Sequence, residues 1–152
     1  MPFTVYLAGE IHSSWRETIA SGVHSLDLDV DLVSPVTIHE DSDACGAAIL
    51  GEQPTPFWND RVGAGINAIR TRSAIASADL VIARFGEKYR QWNAAFDAGL
   101  AVAAGVPLIT LHDEQLDHAL KEVDAAAQAV CRDPDEAVQI LDYVLSGRLR
   151  KA

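Results

Sequence analysis

Five short runs of β-forming apolar residues, each separated from the next by residues of helical periodicity, constrain this chain more than any other feature. The runs are Phe3–Ala8, Asp29–Val33, Leu80–Ala83, Leu108–Leu111 and Ala129–Cys131. Short runs of three to six residues, mostly apolar and β-forming, read as buried strands. The intervening segments carry apolar residues three and four apart, the spacing of a helix with one buried face. Strands that alternate with helices give a parallel sheet covered on both faces. The simplest solution is α/β, a doubly wound five-stranded parallel sheet in order 2-1-3-4-5. At 152 residues the chain has the size of one domain, and 1–152 is read as one unit.

The helices announce themselves by their ends. Ser14 and Glu17 form the pattern of a capping box ahead of Trp15, Ile19, Val23 and Leu26. A second helix is expected over 66–77, with Ile66, Ile69 and Ala76 inward and Arg70 and Arg72 on other faces. A third covers 92–104 and stops at Gly105 and Pro107, as helices do. A fourth covers 114–127. The last begins at Asp133-Pro134 and runs through Leu145, with Ala137, Ile140, Leu141 and Val144 inward. Residues 146–152, with Arg148, Arg150 and Lys151, read as a loosely ordered tail. The stretch 35–65 stands apart. It holds Pro35, Pro54 and Pro56, glycines at 46, 51, 63 and 65, and acids at 40, 41 and 43. It reads as a long functional connection with a short helix near Ala44–Leu50.

Charge excludes several function classes. The formal net charge is −10, which repels phosphate backbones and anionic membranes, so neither nucleic acid nor a membrane is an expected partner. No apolar stretch reaches the roughly 18 residues of a membrane span, and the N-terminus lacks the pattern of a signal peptide. Two cysteines, Cys45 and Cys131, without metal-type spacing fit a reducing, cytoplasmic setting. No metal site is expected: His39 with Glu40, Asp41, Asp43 and Cys45 matches no ligand pattern. Both phosphate-loop signatures, G-x-G-x-x-G and G-K-[ST], are missing.

In sheets of this kind ligands bind beyond the carboxyl ends of the strands, where the order reverses between strands 1 and 3. That rule selects Gly9, Glu10 and His12 after the first strand. It selects Arg84, Phe85 and Gly86 after the third and His112 after the fourth. The segment 92–104, WNAAFDAGLAVAA, is informative because only Asn93 and Asp97 are polar. A helix apolar all round is expected to be buried on most faces. Asn93 and Asp97 are four residues apart, share a face, and lie near the helix N-terminus, which favours negative charge. Asp97 is then either a structural acid paired with a loop or an arginine, or a carboxylate facing a pocket. In the second case it suits nucleophilic attack or stabilisation of developing positive charge. Gly9 either ends a strand or admits a ligand close to the backbone. Glu10 and His12 are either an acid–base pair or solvated loop residues. Arg84, ending a buried strand, needs a partner: Asp97, Glu10 or a ligand anion.

Tyr6-Leu7-Ala8-Gly9, together with ADLVI at 78–82, FDAGLA at 96–101 and GVPLI at 105–109, resembles the nucleoside 2-deoxyribosyltransferases. FTVYLAGEIH, SPVTIHEDSD, INAIRTR, RFGEKYRQWNAAFDAG and HALKEVDAAA resemble the YtoQ branch of that superfamily, and the likeness covers nearly the whole chain. The resemblance implies a flavodoxin-like three-layer α/β/α fold and a cofactor-free ping-pong reaction. A carboxylate attacks C1′ of a nucleoside or nucleotide, the base leaves, and a second base or water accepts the sugar. It also implies a homo-oligomer, a dimer or larger, with sites completed by a neighbour. Asp97, in D-A-G-L-A, takes the place of the family nucleophile, a Glu in E-x-G-x-A. Tyr6 falls where a family Tyr assists that nucleophile, and Asn67 falls near an acid that contacts the base. Asp is one methylene shorter than Glu, and Asn93-Ala94 after Trp92 replaces a small Gly-Thr pair. A binding protein that senses a nucleotide-derived metabolite without chemistry is the alternative reading.

Overall fold

The computed structural model describes residues 1–150, so Lys151 of the expected tail lies outside the described residues. The elements are β1 (Phe3–Gly9), α1 (Trp15–Ser25), β2 (Val30–Val33), α2 (His39–Leu50), α3 (Pro56–Ser77), β3 (Leu80–Arg84), α4 (Trp92–Ala103), β4 (Leu108–Leu111), a 3₁₀ turn at Glu114–Leu116, α5 (Asp117–Ala126), β5 (Ala129–Cys131) and α6 (Pro134–Ser146). All four strand pairings are parallel and the order is 2-1-3-4-5, as the alternation requires. Successive side chains of a strand point to opposite faces, and β1 divides accordingly. Val5 and Leu7 join the core under α1 and α6, with Trp15, Ile19, Ala137 and Leu141. Tyr6 and Ala8 join the opposite core under α3 and α4, with Ile75, Ala94, Ala98 and Ala101. Two-sided burial explains why β1 reads as a continuous apolar run.

The segment 35–65 is the main correction to the sequence reading. It is mostly helix, not connection. α2 begins at His39, and α3 begins at Pro56, ten residues before the expected start. Thr55 caps α3 by accepting from the Trp58 backbone N–H, and Pro56 stands at the first helical position, where its missing N–H costs nothing. Two of the glycines that suggested a loop, Gly46 and Gly63, are where α2 and α3 touch. A Cβ at Gly46 would lie 2.5 Å from the Gly63 backbone nitrogen, so only glycine permits that approach.

Other expectations change for reasons of packing. Ser14 sits at the N-cap of α1 but makes no side-chain capping bond; the hydroxyl of neighbouring Ser13 donates to Glu10 instead. On α3 it is Ile75 that is buried, while Ile69 is 71% exposed and Ala76 is exposed. On α6 Val138 is buried and Val144 is exposed. α4 is not buried on most faces: Ala94, Ala98 and Ala101 face the sheet, whereas Trp92 and Phe96 are 70% and 59% exposed. The tail is anchored in part, because Arg150 donates to both carboxylate oxygens of Asp142 at 2.6 and 3.0 Å. No described helix is long and apolar enough to cross a membrane.

Candidate active site

A cavity of about 1150 Å³ opens at the carboxyl end of the sheet, where doubly wound sheets bind ligands. The turn after β1 forms one wall, α2 and α3 form the second, and the segment leading into α4 forms the third. Gly9, Glu10, His12, Asn67, Asn93 and Asp97 all line it.

Asp97 projects from the second turn of α4. No hydrogen bond or ion pair reaches its carboxylate among the described residues, although it is half-buried. Burial pushes its pKa up to about 6. An anion held with little solvation and no partner is a better base and nucleophile than one in water. Beside it, Tyr6 is buried at 1% exposure and its hydroxyl has no partner of hydrogen-bonding geometry. Burial raises the Tyr6 phenol, the Thr71 side chain opposes this, and the charge of Asp97 adds to the rise. Tyr6 therefore stays a neutral O–H next to an unpartnered carboxylate.

The remaining residues divide sharply. Glu10 lies in the cavity wall, but its carboxylate is occupied, accepting from the Ser13 hydroxyl at 2.6 Å and from the His12 backbone N–H. Burial alone would raise its pKa; the bonds from Ser13 and His12, with Arg84, outweigh it and hold the group below its ordinary range. Glu10 is thus an ionised organiser of its loop and not a proton donor. His12 is exposed and lies against Tyr89 with ring centroids 4.8 Å apart. Gly9 has φ +108°, and a Cβ there would fall 2.1 Å from the Arg84 carbonyl oxygen, so the close approach it admits is that of β3. Asn67 lines the cavity, but its amide donates to the Ser42 carbonyl at 2.9 Å and ties α3 to α2. Asn93 is exposed to the cavity.

Arg84, Phe85 and Gly86 are outside the cavity wall. Phe85 is buried with its edge toward His112. Gly86 packs on Glu10, where a Cβ would fall 2.7 Å from Glu10 Cγ. Arg84 forms no ion pair within 4 Å, and its buried Nε has no partner. Of the protein partners considered for it, neither Asp97 nor Glu10 comes within that distance.

Three features escape the sequence reading. Arg16 donates to the carbonyls of Leu7 at 2.9 Å and Glu10 at 2.6 Å, clamping the turn that carries Gly9 and Glu10; only its place one turn into α1 hints at this. Arg70 and Thr71 of α3 line the cavity; apolar residues orient the helix expected over 66–77, and the polar face that Arg70 and Thr71 share with Asn67 gives no such signal. Finally, His112 is fully buried, with Nδ1 2.9 Å from the Asp113 carbonyl and Nε2 3.0 Å from both oxygens of Asp124. Thr110 donates to the same Asp124 at 2.7 Å. His112, Asp117 and Asp124 bring ligand atoms within 4.8 Å of one another. Both ring nitrogens already face protein acceptors, and Arg132 occupies Asp117 at 2.6 Å, so the network is internally satisfied.

Residues 6–145 match the family described as nucleoside 2-deoxyribosyltransferase YtoQ. The chain belongs to this family. It is 45% identical to the YtoQ protein of Bacillus subtilis (strain 168) over 144 residues, 95% of this chain and 97% of that one. Among solved structures, it is similar to a conserved protein from Enterococcus faecalis V583, with TM-score 0.62, 17% identity, and coverage of 95% and 100%. It is also similar to a 2-deoxyribosyltransferase from Bacillus psychrosaccharolyticus, with TM-score 0.53, 14% identity, and coverage of 89% and 90%. These structural likenesses bear on the fold. In this YtoQ-family chain Asp97 lines the cavity at the carboxyl edge of the sheet, and Tyr6 is buried in the middle of β1, outside the cavity wall.

Proposed function

We propose that this protein cleaves or exchanges the N-glycosidic bond of a nucleoside or nucleotide, with Asp97 as nucleophile. The observation that carries the reading is an unpaired, half-buried carboxylate in the wall of the cavity, its pKa raised to about 6 by burial. A structural acid in that position would have a partner, and Asp97 has none among the described residues. In the proposed reaction a carboxylate oxygen bonds to C1′ as the C1′–N bond breaks. The bonding pair leaves with the base, which takes a proton from solvent. A second base or water then attacks C1′, giving up a proton, and the carboxylate is released. Covalent catalysis of this kind divides one difficult displacement into two easier ones. Tyr6 holds a neutral hydroxyl that is unpartnered in the free protein and bonds the carboxylate once substrate enters, and Asn93, next to Asp97 on the exposed side of α4, contacts the sugar or base.

The reading extends to assembly. Trp92 and Phe96 of α4 and Phe57, Trp58 and Ile69 of α3 are exposed, an excess of large apolar side chains that marks an interaction surface. A second copy covering this face, close to the cavity mouth, is the proposed homo-oligomer.

Incubation with 2′-deoxynucleosides and their 5′-monophosphates, with the free base followed by chromatography, tests the reaction. Base appears with the wild-type protein and not with Asp97→Asn. Ligand binding without base release by the wild type would favour a sensor and overturn the enzyme.

A further inference from the structure

The cavity departs from the charge of the molecule that contains it. The chain carries 12 Lys and Arg against 22 Asp and Glu, but the cavity wall holds four arginines, Arg61, Arg70, Arg72 and Arg90, against four acids. Two of those acids are already engaged: Glu10 by its own loop and Asp43 by His39 at 3.2 Å. None of the four guanidinium groups has a carboxylate within 4 Å among the described residues. Arg70 spends one nitrogen on the Ser34 carbonyl at 3.3 Å, and Arg90 lies 5.7 Å over the Trp92 ring. Elsewhere Arg132 pairs with Asp117 and Arg150 with Asp142, and Arg16 is taken up by backbone carbonyls.

The arginines sit on two sides of the ligand space. Arg61, Arg70 and Arg72 belong to α3, and Arg90 comes from the segment between β3 and α4. On α3 the inward line runs through Asp60, Ala64, Asn67 and Thr71, with Arg70 on one flank and Arg61 and Arg72 on the other. Arg70 lies one turn from Asn67 and beside Thr71, on the α3 stretch that faces the cavity across from Asp97. A planar guanidinium with no internal acid has its donors available for two phosphate oxygens. In an acidic protein such a gathering also draws an anion selectively to one place.

We infer that the substrate carries a phosphoryl group, making it a nucleoside monophosphate and not the free nucleoside, and that Arg70 is the principal phosphate-binding residue. This rests on the proposed function for the reacting centre, but the two stand or fall on different measurements. Calorimetric titration with a set of 2′-deoxynucleosides, their 5′-monophosphates and inorganic phosphate, at fixed ionic strength, reads the inference directly. The monophosphates bind at least about tenfold more tightly than the matching nucleosides, the ratio expected of one charge-assisted bidentate contact. Inorganic phosphate competes with them. Arg70→Ala brings the ratio to near one while nucleoside binding is unchanged, and Arg70→Lys, which keeps the charge, retains part of it. Nucleosides binding as tightly as monophosphates would overturn the inference, as would a folded Arg70→Ala that keeps the full ratio. Tight, Arg70-dependent monophosphate binding without base release would leave it standing and remove the catalytic reading instead.

Discussion

At the residue scale the molecule turns on one carboxylate whose burial is costly and whose partners are missing. An ionised Asp97 with a raised pKa makes the folded state less stable at neutral pH than it would be with a neutral side chain. Asp97→Asn should therefore do two things together. Turnover falls by at least about a thousandfold, because the attacking oxygen is lost. Unfolding free energy at pH 7 rises by about 1–2 kcal/mol, a value discounted for partial solvation, or roughly 3–6 °C in melting temperature. The sign follows from protonation. The folded pKa is about 6 and the unfolded value is near 3.9, so the cost is complete above pH 6 and gone below about pH 4. Calorimetric melts at pH 7 and pH 4 check it, and an equal effect at both would refute it. For the same reason wild-type activity should rise with pH through about 6 and level off above, as the nucleophile loses its proton. Tyr6→Phe removes a buried hydroxyl that has no partner, so stability stays level or gains about 1 kcal/mol. Turnover falls about 10- to 100-fold through loss of the bond this hydroxyl makes to Asp97 when substrate is bound. A large loss of stability would show that the hydroxyl has a structural bond.

At the scale of elements, one contact fixes a wall of the cavity and another braces the scaffold away from it. The first is the crossing of α2 and α3, where Gly46 meets the Gly63 backbone. Gly46→Val would force the helices apart and release the α2 wall that carries His39, Ser42 and Asp43. We expect a loss of about 2–4 kcal/mol, read by denaturant unfolding, with nucleotide binding lost in the same variant. The second is the Thr110–Asp124–His112 network, which joins β4 to α5 away from the cavity. Asp124→Ala leaves His112 and Thr110 buried without their acceptor, at a cost of about 2–4 kcal/mol. Base release per folded molecule should be unchanged, since no member of the network lines the cavity. The contrast between the two variants separates walls from scaffold.

At the scale of the whole molecule, the exposed Trp92 and Phe96 of α4 line the cavity, so the proposed assembly surface and the proposed site share a border. Phe57→Ser with Trp58→Ser should halve the mass measured by light scattering and leave the monomer folded by circular dichroism; an unchanged mass would place the interface elsewhere. The sheet order was legible in the sequence because each strand has a period of two or a continuous apolar run, and each helix a period of 3.6, and those periods are local. So was the placing of Asp97 and Asn93 on one face at the switch point, since helix geometry and strand order suffice for it. The α2–α3 pair was not legible: glycine and proline carry the same letters in a loop and in a tight helix crossing, and only the partner backbone distinguishes them. The roles of Gly9, Glu10, Arg84 and Asn67 also had to await tertiary structure, because each depends on what stands opposite in space. Their partners are the Arg84 carbonyl for Gly9, the Ser13 hydroxyl for Glu10, and the Ser42 carbonyl for Asn67, while Arg84 has no acid. The sequence by itself determined the order of elements and the edge on which chemistry would lie. Tertiary structure alone decided which polar groups there were already satisfied, and so left Asp97 as a half-buried acid without a partner among the described residues.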